Sequence, residues 1–112
     1  MKKIEAIVRP SKLEPLKEAF LAVDIKGLTI SEVHGCGNQH GWTEYYRGSE
    51  VIVNMLPKIK FEIVTTDDRV DELVKLIIKT AKTGEVGDGK IFVLPIDEVV
   101  RIRTEESGEV AI

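Results

Sequence analysis

The hydrophobic pattern of this chain occurs twice, in two halves with the same order of predicted elements. Residues 2–9 alternate between apolar and other side chains, which predicts a strand that ends at Pro10. Apolar side chains at helical spacing continue to Asp24, and the β-rich stretch from Leu28 to Val33 predicts a second strand. The first half is therefore predicted to fold as strand, helix, strand.

The second half repeats this order. Residues 58–66 alternate in the same way, and a helical pattern follows that ends at Thr83-Gly84. Ile91 to Leu94 predicts the answering strand, and Val99 to Arg103 predicts a short additional one. Two such units in succession are typical of a ferredoxin-like βαβ–βαβ sandwich, so we predict an α+β fold.

Both predicted helices begin with residues that favour a helix N-terminus. Ser11 and Glu14 have the S-x-x-E spacing of a capping box. Asp67 or Asp68 can cap the second helix with a carboxylate oxygen. We therefore expect a side-chain cap at the start of each helix.

One face of the predicted sheet is not covered by the helices. Antiparallel strands with both helices on one side leave the other side open, and residues such as Ile7 on that side are apolar. We expect this face to pack against another subunit in an oligomer. The alternative is a partly apolar face that contacts solvent.

Length and charge exclude several classes of protein. The 112 residues are enough for one domain, residues 1–112, with a single core. A formal charge of −3 with no basic tail or stripe argues against direct nucleic-acid or membrane-surface binding. One cysteine allows no intrachain disulfide, which indicates a reducing cytoplasm. No apolar run approaches the ~20 residues of a membrane span, and no signal peptide precedes the first strand.

A long segment without helical pattern separates the two halves. Residues 37–57 form a predicted loop of about twenty residues, with a short β-like run from Val51 to Val53. Its aromatic residues and one arginine are typical of protein-contact surfaces. The residues in question are Trp42, Tyr45, Tyr46 and Arg47. The alternative is a hydrophobic flap folded onto its own domain.

The motif Gly87-Asp88-Gly89-Lys90 is a candidate phosphate site. Two glycines allow a tight turn with exposed N–H groups, and a lysine stands beside them. Arg101 and Arg103, two apart on a predicted strand, point to the same face, and guanidinium groups suit phosphate geometry. The order helix–loop–strand does not fit a Walker motif. The alternatives are a turn with a solvated lysine, and salt bridges from the arginines to Glu98, Glu105 or Glu106.

A second glycine cluster and a lysine flank the long loop. The cluster Gly35-Cys36-Gly37-Asn38-Gln39-His40-Gly41 has no helix after it, so a Rossmann interpretation fails. It can let backbone approach a ligand closely, or it is only a flexible loop base. His34 and His40 have no recognisable metal-ligand spacing. Lys58, at the other end of the loop, can receive a carboxylate or remain solvated.

The whole chain resembles the PII signal proteins of nitrogen regulation, specifically the GlnK-like branch. The resemblance covers essentially all 112 residues and is carried by long, specific runs. These runs are Met1–Ile7, Gly35–Gly37, Thr43–Glu50, Leu56–Val64, Thr83–Val93 and Arg101–Thr104.

The resemblance implies a ferredoxin-like homotrimer with ATP or ADP competing for three clefts between subunits. It also implies 2-oxoglutarate as an effector bound with Mg-ATP, a T-loop at residues 37–55 and a C-terminal loop at residues 102–109. The glycine motif would face residues 35–41 of a neighbouring chain. The implied nucleotide-binding residues are Thr29, Gly35, Cys36, Gly37, Asn38, Gln39, Val64, Gly87, Asp88, Gly89, Lys90, Arg101 and Arg103. Gln39 would help to hold Mg²⁺, and Gln39, Lys58 and Gly87 would bind 2-oxoglutarate.

The resemblance further implies a non-enzymatic sensor that acts on protein partners. An ammonium transporter is the expected partner, with a transcription regulator or a metabolic enzyme as the runner-up, and any membrane contact would come through a protein. The T-loop residues expected to touch the partner are Trp42, Tyr45, Tyr46, Arg47 and Ser49. The alternatives are a small phosphotransfer enzyme or ATPase, with Asp88, His40 and Cys36 as its candidates, and a trimeric metal-binding protein of the same fold.

Some positions depart from the family pattern. Val51 stands where the family has its uridylylation tyrosine, so uridylylation at that position is excluded, and we do not transfer it to Tyr46. Ser49 matches a position phosphorylated in one branch, which a serine alone does not establish. Asn38 and His40 stand where the family commonly has basic residues, so either ATP binding would weaken or the balance between ATP and ADP would change, and His40 would make that balance sensitive to pH. Glu105 replaces a usual glycine, so the C-terminal loop would close differently.

Overall fold

The computed structural model describes residues 1–36, 42–46, 49–53 and 55–112. Its elements alternate along the chain in the order expected from the two similar halves. In chain order they are β1 (Lys2–Val8), α1 (Leu13–Ala22), β2 (Thr29–Gly35), β3 (Trp42–Tyr46), β4 (Ser49–Val53), β5 (Leu56–Thr65), α2 (Val70–Ala81) and β6 (Lys90–Pro95).

The main sheet has four strands in the order β2-β5-β1-β6, and every neighbouring pair is antiparallel. The central strand β1 pairs Ile4 with Ile63 of β5 on one side and with Val93 of β6 on the other. This arrangement, with both crossover helices, is the ferredoxin-like α+β fold that the sequence predicts. Among the described residues, no helix is long and apolar enough to cross a membrane.

The core lies between the sheet and the two helices. Alternate residues of β1 and β5 are buried on the helix side, and α1 and α2 bury the matching apolar stripes. Phe20 of α1 meets Phe61 of β5 edge to face, with 5.7 Å between the ring centroids. The fully buried side chains of this core include Ile4, Leu16, Phe20, Phe61, Ile63, Leu73 and Ile77.

The predicted side-chain caps at the two helix starts are wrong. A 3₁₀ turn, Pro10–Lys12, precedes α1, and neither this turn nor α1 has a side-chain cap, because Pro10 begins the helical path one residue before Ser11. A second 3₁₀ turn, Asp67–Arg69, precedes α2 in the same way. The carboxylate of Asp67 instead forms an ion pair of 2.8 Å with the Met1 ammonium group.

The open face of the sheet is charged at its centre and apolar towards one edge. Lys3 forms ion pairs with Glu5 and Glu62 at 3.0 and 3.1 Å. The hydrogen bond that Lys3 donates to Glu5 raises the pKa of Lys3 above its usual range, and the same contact lowers the pKa of Glu5. Phe92 and Leu94 on the edge strand β6 are exposed. The face is therefore apolar only in part.

The segment between the halves contains a hairpin, whereas the sequence predicts a loop. Strands β3 and β4 pair antiparallel in a separate two-stranded sheet, from Trp42 opposite Val53 to Tyr46 opposite Ser49. The β-like run that the sequence shows at residues 51–53 lies within β4. The missed partner is β3, whose aromatic residues favour a strand although they do not alternate with polar ones.

The predicted strand from Val99 to Arg103 is wrong. This region has a single bridge, between Val100 and Ser107, and then turns. The amide of Arg101 donates to the Glu106 carbonyl, and the amide of Glu105 donates to the Arg101 carbonyl, both at 2.8 Å. These bonds close a tight turn, so Arg101 and Arg103 do not lie on one face of a strand as the sequence predicts.

Glu105 adopts a left-handed backbone conformation at this turn, with a φ of 62°. A residue with a β-carbon costs about 1–2 kcal/mol in this conformation, while glycine costs more entropy on folding. Glu105→Gly should therefore raise the free energy of unfolding by about 0.5–1 kcal/mol, measured by urea unfolding at one protein concentration. Glu105→Ala is the control, because it removes the carboxylate and keeps the β-carbon. Equal stabilisation by both changes would contradict the backbone explanation.

Candidate functional site

A cavity of about 530 Å³ lies where β2 ends, β5 begins and β6 begins. We call it the loop cavity, because one wall is the segment of residues 83–90, here called the glycine loop. Its lining includes seven residues predicted from the sequence: Gly35, Cys36, Lys58, Gly87, Asp88, Gly89 and Lys90. The sheet order brings them together, because Gly35 pairs with Leu56 on β5 and Lys90 pairs with Ile7 on β1.

This placement corrects one expectation. The glycine motif was expected to face residues 35–41 of a neighbouring chain, but Gly35 and Cys36 line the same cavity as the motif within one chain. The reason is the adjacency of β5 and β1 in the centre of the sheet, which sets the ends of β2 and β6 on either side of one depression.

The glycine loop approaches the backbone of β1 so closely that a side chain does not fit. Gly87 and Gly89 have positive φ values of 105° and 100°. A β-carbon on Gly89 would lie 1.7 Å from the carbonyl oxygen of Ile7. Glycine at this position is therefore a steric requirement of the loop.

The carboxylate of Asp88 is bonded inside the glycine loop. It accepts hydrogen bonds from the Thr83 hydroxyl, from the amides of Thr83 and Gly84, both at 2.9 Å, and from Arg9 at 3.1 Å. These donors, the Thr83 hydroxyl first, hold the pKa of Asp88 well below its usual range. Because folding lowers this pKa, the ionised group stabilises the fold above the ordinary aspartate pKa of about 3.9, and the contribution is lost as the pH falls towards the folded value.

Lys58 of β5 lines the loop cavity and contacts the glycine loop. Its ammonium group donates to the Gly87 carbonyl at 2.8 Å. Burial lowers the pKa of Lys58, the charge of Arg9 lowers it further, and Asp88 opposes the shift. An anionic ligand beside this ammonium group would favour its charged form.

Other predicted nucleotide residues that the structure describes lie outside the loop cavity. Thr29 and Val64 line a second cavity of about 730 Å³, here called the C-terminal cavity, together with Ile112. Val64 lies six positions along β5 from Lys58, a distance of about 20 Å. The predicted site is thus divided between two cavities of one chain.

Arg101 belongs to the second group. Its guanidinium donates to the carbonyls of Val110 and Ile112 at 3.3 and 3.4 Å, and it contacts Glu106 at 3.4 Å. The salt bridge to Glu106 that the sequence left open is therefore present. Arg103 is exposed two residues further on.

Several predicted residues lie outside the described part of the chain, namely Gly37, Asn38, Gln39, His40, Gly41 and Arg47. The magnesium prediction, which rests on Gln39, is among them. Trp42, Tyr45 and Tyr46 lie on β3, and Ser49 lies on β4. In the ranges that the structure describes, no three His, Cys, Asp or Glu residues are grouped as a metal site would require.

Arg9 and Thr83 hydrogen-bond to Asp88, a lining residue of the loop cavity, and the sequence does not predict either as a site residue. Arg9 follows β1 directly and reaches Asp88, 79 positions away in the sequence. From the sequence, Thr83 is predicted only as part of a helix end. Neither residue carries a sequence signal for these contacts, although an arginine and a threonine are ordinary partners for a carboxylate.

Comparison with known proteins gives a consistent result. The family model described as "Nitrogen regulatory protein P-II" matches residues 1–106. The chain is 54% identical over 112 residues to "Nitrogen regulatory protein P-II" of Pasteurella multocida (strain Pm70) and 55% identical to the protein of that name from Klebsiella oxytoca. It is 54% identical to "Nitrogen regulatory protein P-II 1" of Escherichia coli (strain K12). Each match covers 100% of both sequences.

Proposed function

Since this chain belongs to the nitrogen regulatory protein P-II family, we propose that it is a non-enzymatic cytoplasmic sensor of ATP, ADP and 2-oxoglutarate. The observation that supports this most is the composition of the loop cavity. Two positive-φ glycines leave backbone N–H groups uncovered by side chains, and Lys58 and Lys90 bring positive charge to the same wall. Backbone donors and ammonium groups around a concave surface fit a polyphosphate.

Mg²⁺ would accompany ATP in this site. Among the described lining residues the loop cavity offers the carboxylates of Asp88 and Glu85, and that of Asp88 is already bonded within the glycine loop. The ligands of the ion would come from the phosphates and from Gln39, as the resemblance implies. When bound, Mg²⁺ would place positive charge between the triphosphate and a 2-oxoglutarate dianion, and Lys58 would pair with a 2-oxoglutarate carboxylate.

The divided site supports a homotrimer. The residues proposed to bind phosphate line the loop cavity, while Thr29 and Val64 lie about 20 Å away in the C-terminal cavity. A nucleotide would meet both sets only if the C-terminal cavity of one subunit faced the loop cavity of the next. Exposed apolar side chains near the second set, Val100, Ile102 and Val110, supply surface for such contact.

Signal output would come from the T-loop. Its hairpin leaves the sheet after Gly35 and returns before Leu56, and these two residues are paired neighbours that line the loop cavity. A ligand there would favour some T-loop conformations over others by binding them with unequal affinity. We propose an ammonium transporter as the partner, with a transcription regulator or metabolic enzyme as the second possibility.

A phosphotransfer enzyme is the less favoured function. It needs a base or nucleophile beside the phosphates, and Asp88 is a poor base because its carboxylate is already bonded to Thr83, Gly84 and Arg9. The glycine loop can therefore bind a phosphate chain, but Asp88 is not available to act as a base.

Lys58→Met tests the proposal by calorimetric titration with ADP, and with 2-oxoglutarate in the presence of Mg-ATP. We expect 2-oxoglutarate binding to weaken at least tenfold, because a charged hydrogen bond is worth about 1.5–3 kcal/mol, while ADP still binds. Lys60→Met is the matched control, since Lys60 lies two residues along the same strand face and contacts Glu62. Unchanged 2-oxoglutarate affinity would remove Lys58 from the site, and no nucleotide binding by the wild type would remove the proposed function.

A further inference from the structure

Arg9 holds the glycine loop at two points. Its Nε donates to the Asp88 carboxylate at 3.1 Å and its Nη2 donates to the Val86 carbonyl at 2.7 Å, on either side of Gly87. The side chain is only 22% exposed, so the guanidinium lies between β1 and the loop. These contacts join the end of the central strand to the turn of the loop.

The loop is closed by further bonds on the other side of the same carboxylate. Asp88 accepts from Thr83 and Gly84, so residues 83–88 form a ring of contacts around one side chain. Lys58 adds a bond to the Gly87 carbonyl from β5. The carbonyls of Val86 and Gly87 thus both accept hydrogen bonds from cationic side chains, Arg9 directly after β1 and Lys58 on β5.

We propose that Arg9 is a positioning residue for the phosphate-binding backbone of the glycine loop. Acting through Asp88 and Val86, it keeps residues 87–90 in their bound conformation before a ligand arrives. The inference rests on the proposed nucleotide site and goes beyond it, because Arg9 need not touch the ligand. A loop that is already ordered loses less conformational freedom on binding, and this raises its affinity.

The shape of the arginine side chain is necessary for this role. A guanidinium presents donors in a fixed, planar fork and can reach a carboxylate and a carbonyl together. A lysine at this position would keep the charge but has one nitrogen, which would not span both acceptors in the same geometry. The Asp88 carboxylate and the Val86 carbonyl would then compete for one ammonium group.

The carboxylate of Asp88 is equally specific. Each of its oxygens accepts two hydrogen bonds, Oδ1 from Arg9 and the Thr83 hydroxyl, and Oδ2 from the amides of Thr83 and Gly84. Asp88→Asn keeps the shape but turns one of these acceptors into an amide NH₂ group. That change would leave two donors without an acceptor.

The test is a double-mutant cycle read by ADP titration calorimetry on the full-length chain. Arg9→Met and Asp88→Asn should each weaken ADP binding roughly tenfold, and the double variant should be no weaker than about twofold beyond either one. Such coupling is expected if both residues act through one loop conformation. Multiplied losses of about a hundredfold would show independent contributions and overturn the proposal. Lys17→Met, which removes an exposed ion pair with Glu14 on α1, should leave the affinity unchanged.

Hydrogen exchange of the ligand-free protein separates this proposal from the nucleotide site itself. Amides 83–89 should exchange about ten times faster in Arg9→Met, a larger increase than for the amides of the core strands β1 and β5. If the wild type binds no ADP, the proposed function fails, while this measurement still decides whether Arg9 orders the loop. Arg9→Lys, which keeps the charge, should also exchange faster and serves if Arg9→Met does not fold. Exchange as slow as in the wild type in a folded Arg9 variant would overturn the positioning role.

Discussion

Gly89→Ala should weaken nucleotide binding by at least about a hundredfold while the sheet and both helices remain folded. The added β-carbon would lie 1.7 Å from the Ile7 carbonyl oxygen, and the alanine would have to adopt a φ of 100°. Since carbon–oxygen contacts under 3.0 Å essentially do not occur, the loop must move more than an ångström from β1. Two displaced hydrogen bonds to phosphate, at about 1.5–3 kcal/mol each, account for the expected loss.

Calorimetric titration with ADP measures this effect, and far-ultraviolet circular dichroism checks the fold. Gly84→Ala is the matched control, because Gly84 also has a positive φ, of 91°, but a β-carbon there would meet nothing within 4 Å. Gly84→Ala should introduce only backbone strain, so ADP affinity should fall much less than in Gly89→Ala. If Gly89→Ala binds ADP within threefold of the wild type, residues 87–90 do not hold the phosphates.

Deleting residues 42–53 should abolish capture of the partner and leave the assembly and the nucleotide site intact. Strands β3 and β4 pair only with each other within the described chain, so the main sheet does not depend on them. Gly35 and Leu56 are paired neighbours, and the residues left between them are enough to close the connection. The deleted segment carries the side chains proposed to contact the partner, so we expect no residual capture.

Light scattering reports the assembly, ADP titration reports the site, and pull-down of a detergent-solubilised ammonium transporter reports partner capture. Replacing residues 42–53 by a glycine–serine segment of equal length is the control for loop length. Both variants should fail in the pull-down and bind ADP like the wild type. A monomeric deletion variant would instead show that the hairpin is part of the subunit interface.

The repeated pattern was sufficient to predict the sheet and the helices, because each half buries one face of its elements. Ile4, Ala6 and Val8 alternate in the sequence and are all buried. The helix starts were less predictable, since Pro10 and Asp67 take part in 3₁₀ turns and the Asp67 carboxylate is used by Met1. Local cap signals do not show which distant group will compete for a side chain.

The C-terminal region shows a second limit. Val99, Val100 and Ile102 have the composition of a strand, yet Ile102 is 96% exposed and the backbone turns at Arg101. Strand propensity describes how a side chain fits a half-buried surface, and no strand in the described part of the chain lies beside this segment to complete that surface. The single bridge from Val100 to Ser107 is the only ladder contact described there.

The candidate site was predictable in composition but not in arrangement. Its glycines and Lys58 carry recognisable local signals, while their meeting with Gly35 depends on strand order. The roles of Arg9 and Thr83 depend on contacts with Asp88, which no spacing rule reveals. The division of the site between two cavities likewise follows from the length of β5.

The pairing of Gly35 with Leu56 also bears on how such proteins can diversify. Because the excursion between β2 and β5 leaves and returns at adjacent points, its length and sequence can change without shifting the register of the sheet. Doubling the length of such a segment costs only about 0.6 kcal/mol of closure entropy. The segment proposed to bind partners can therefore change without displacing the residues proposed to bind the ligand.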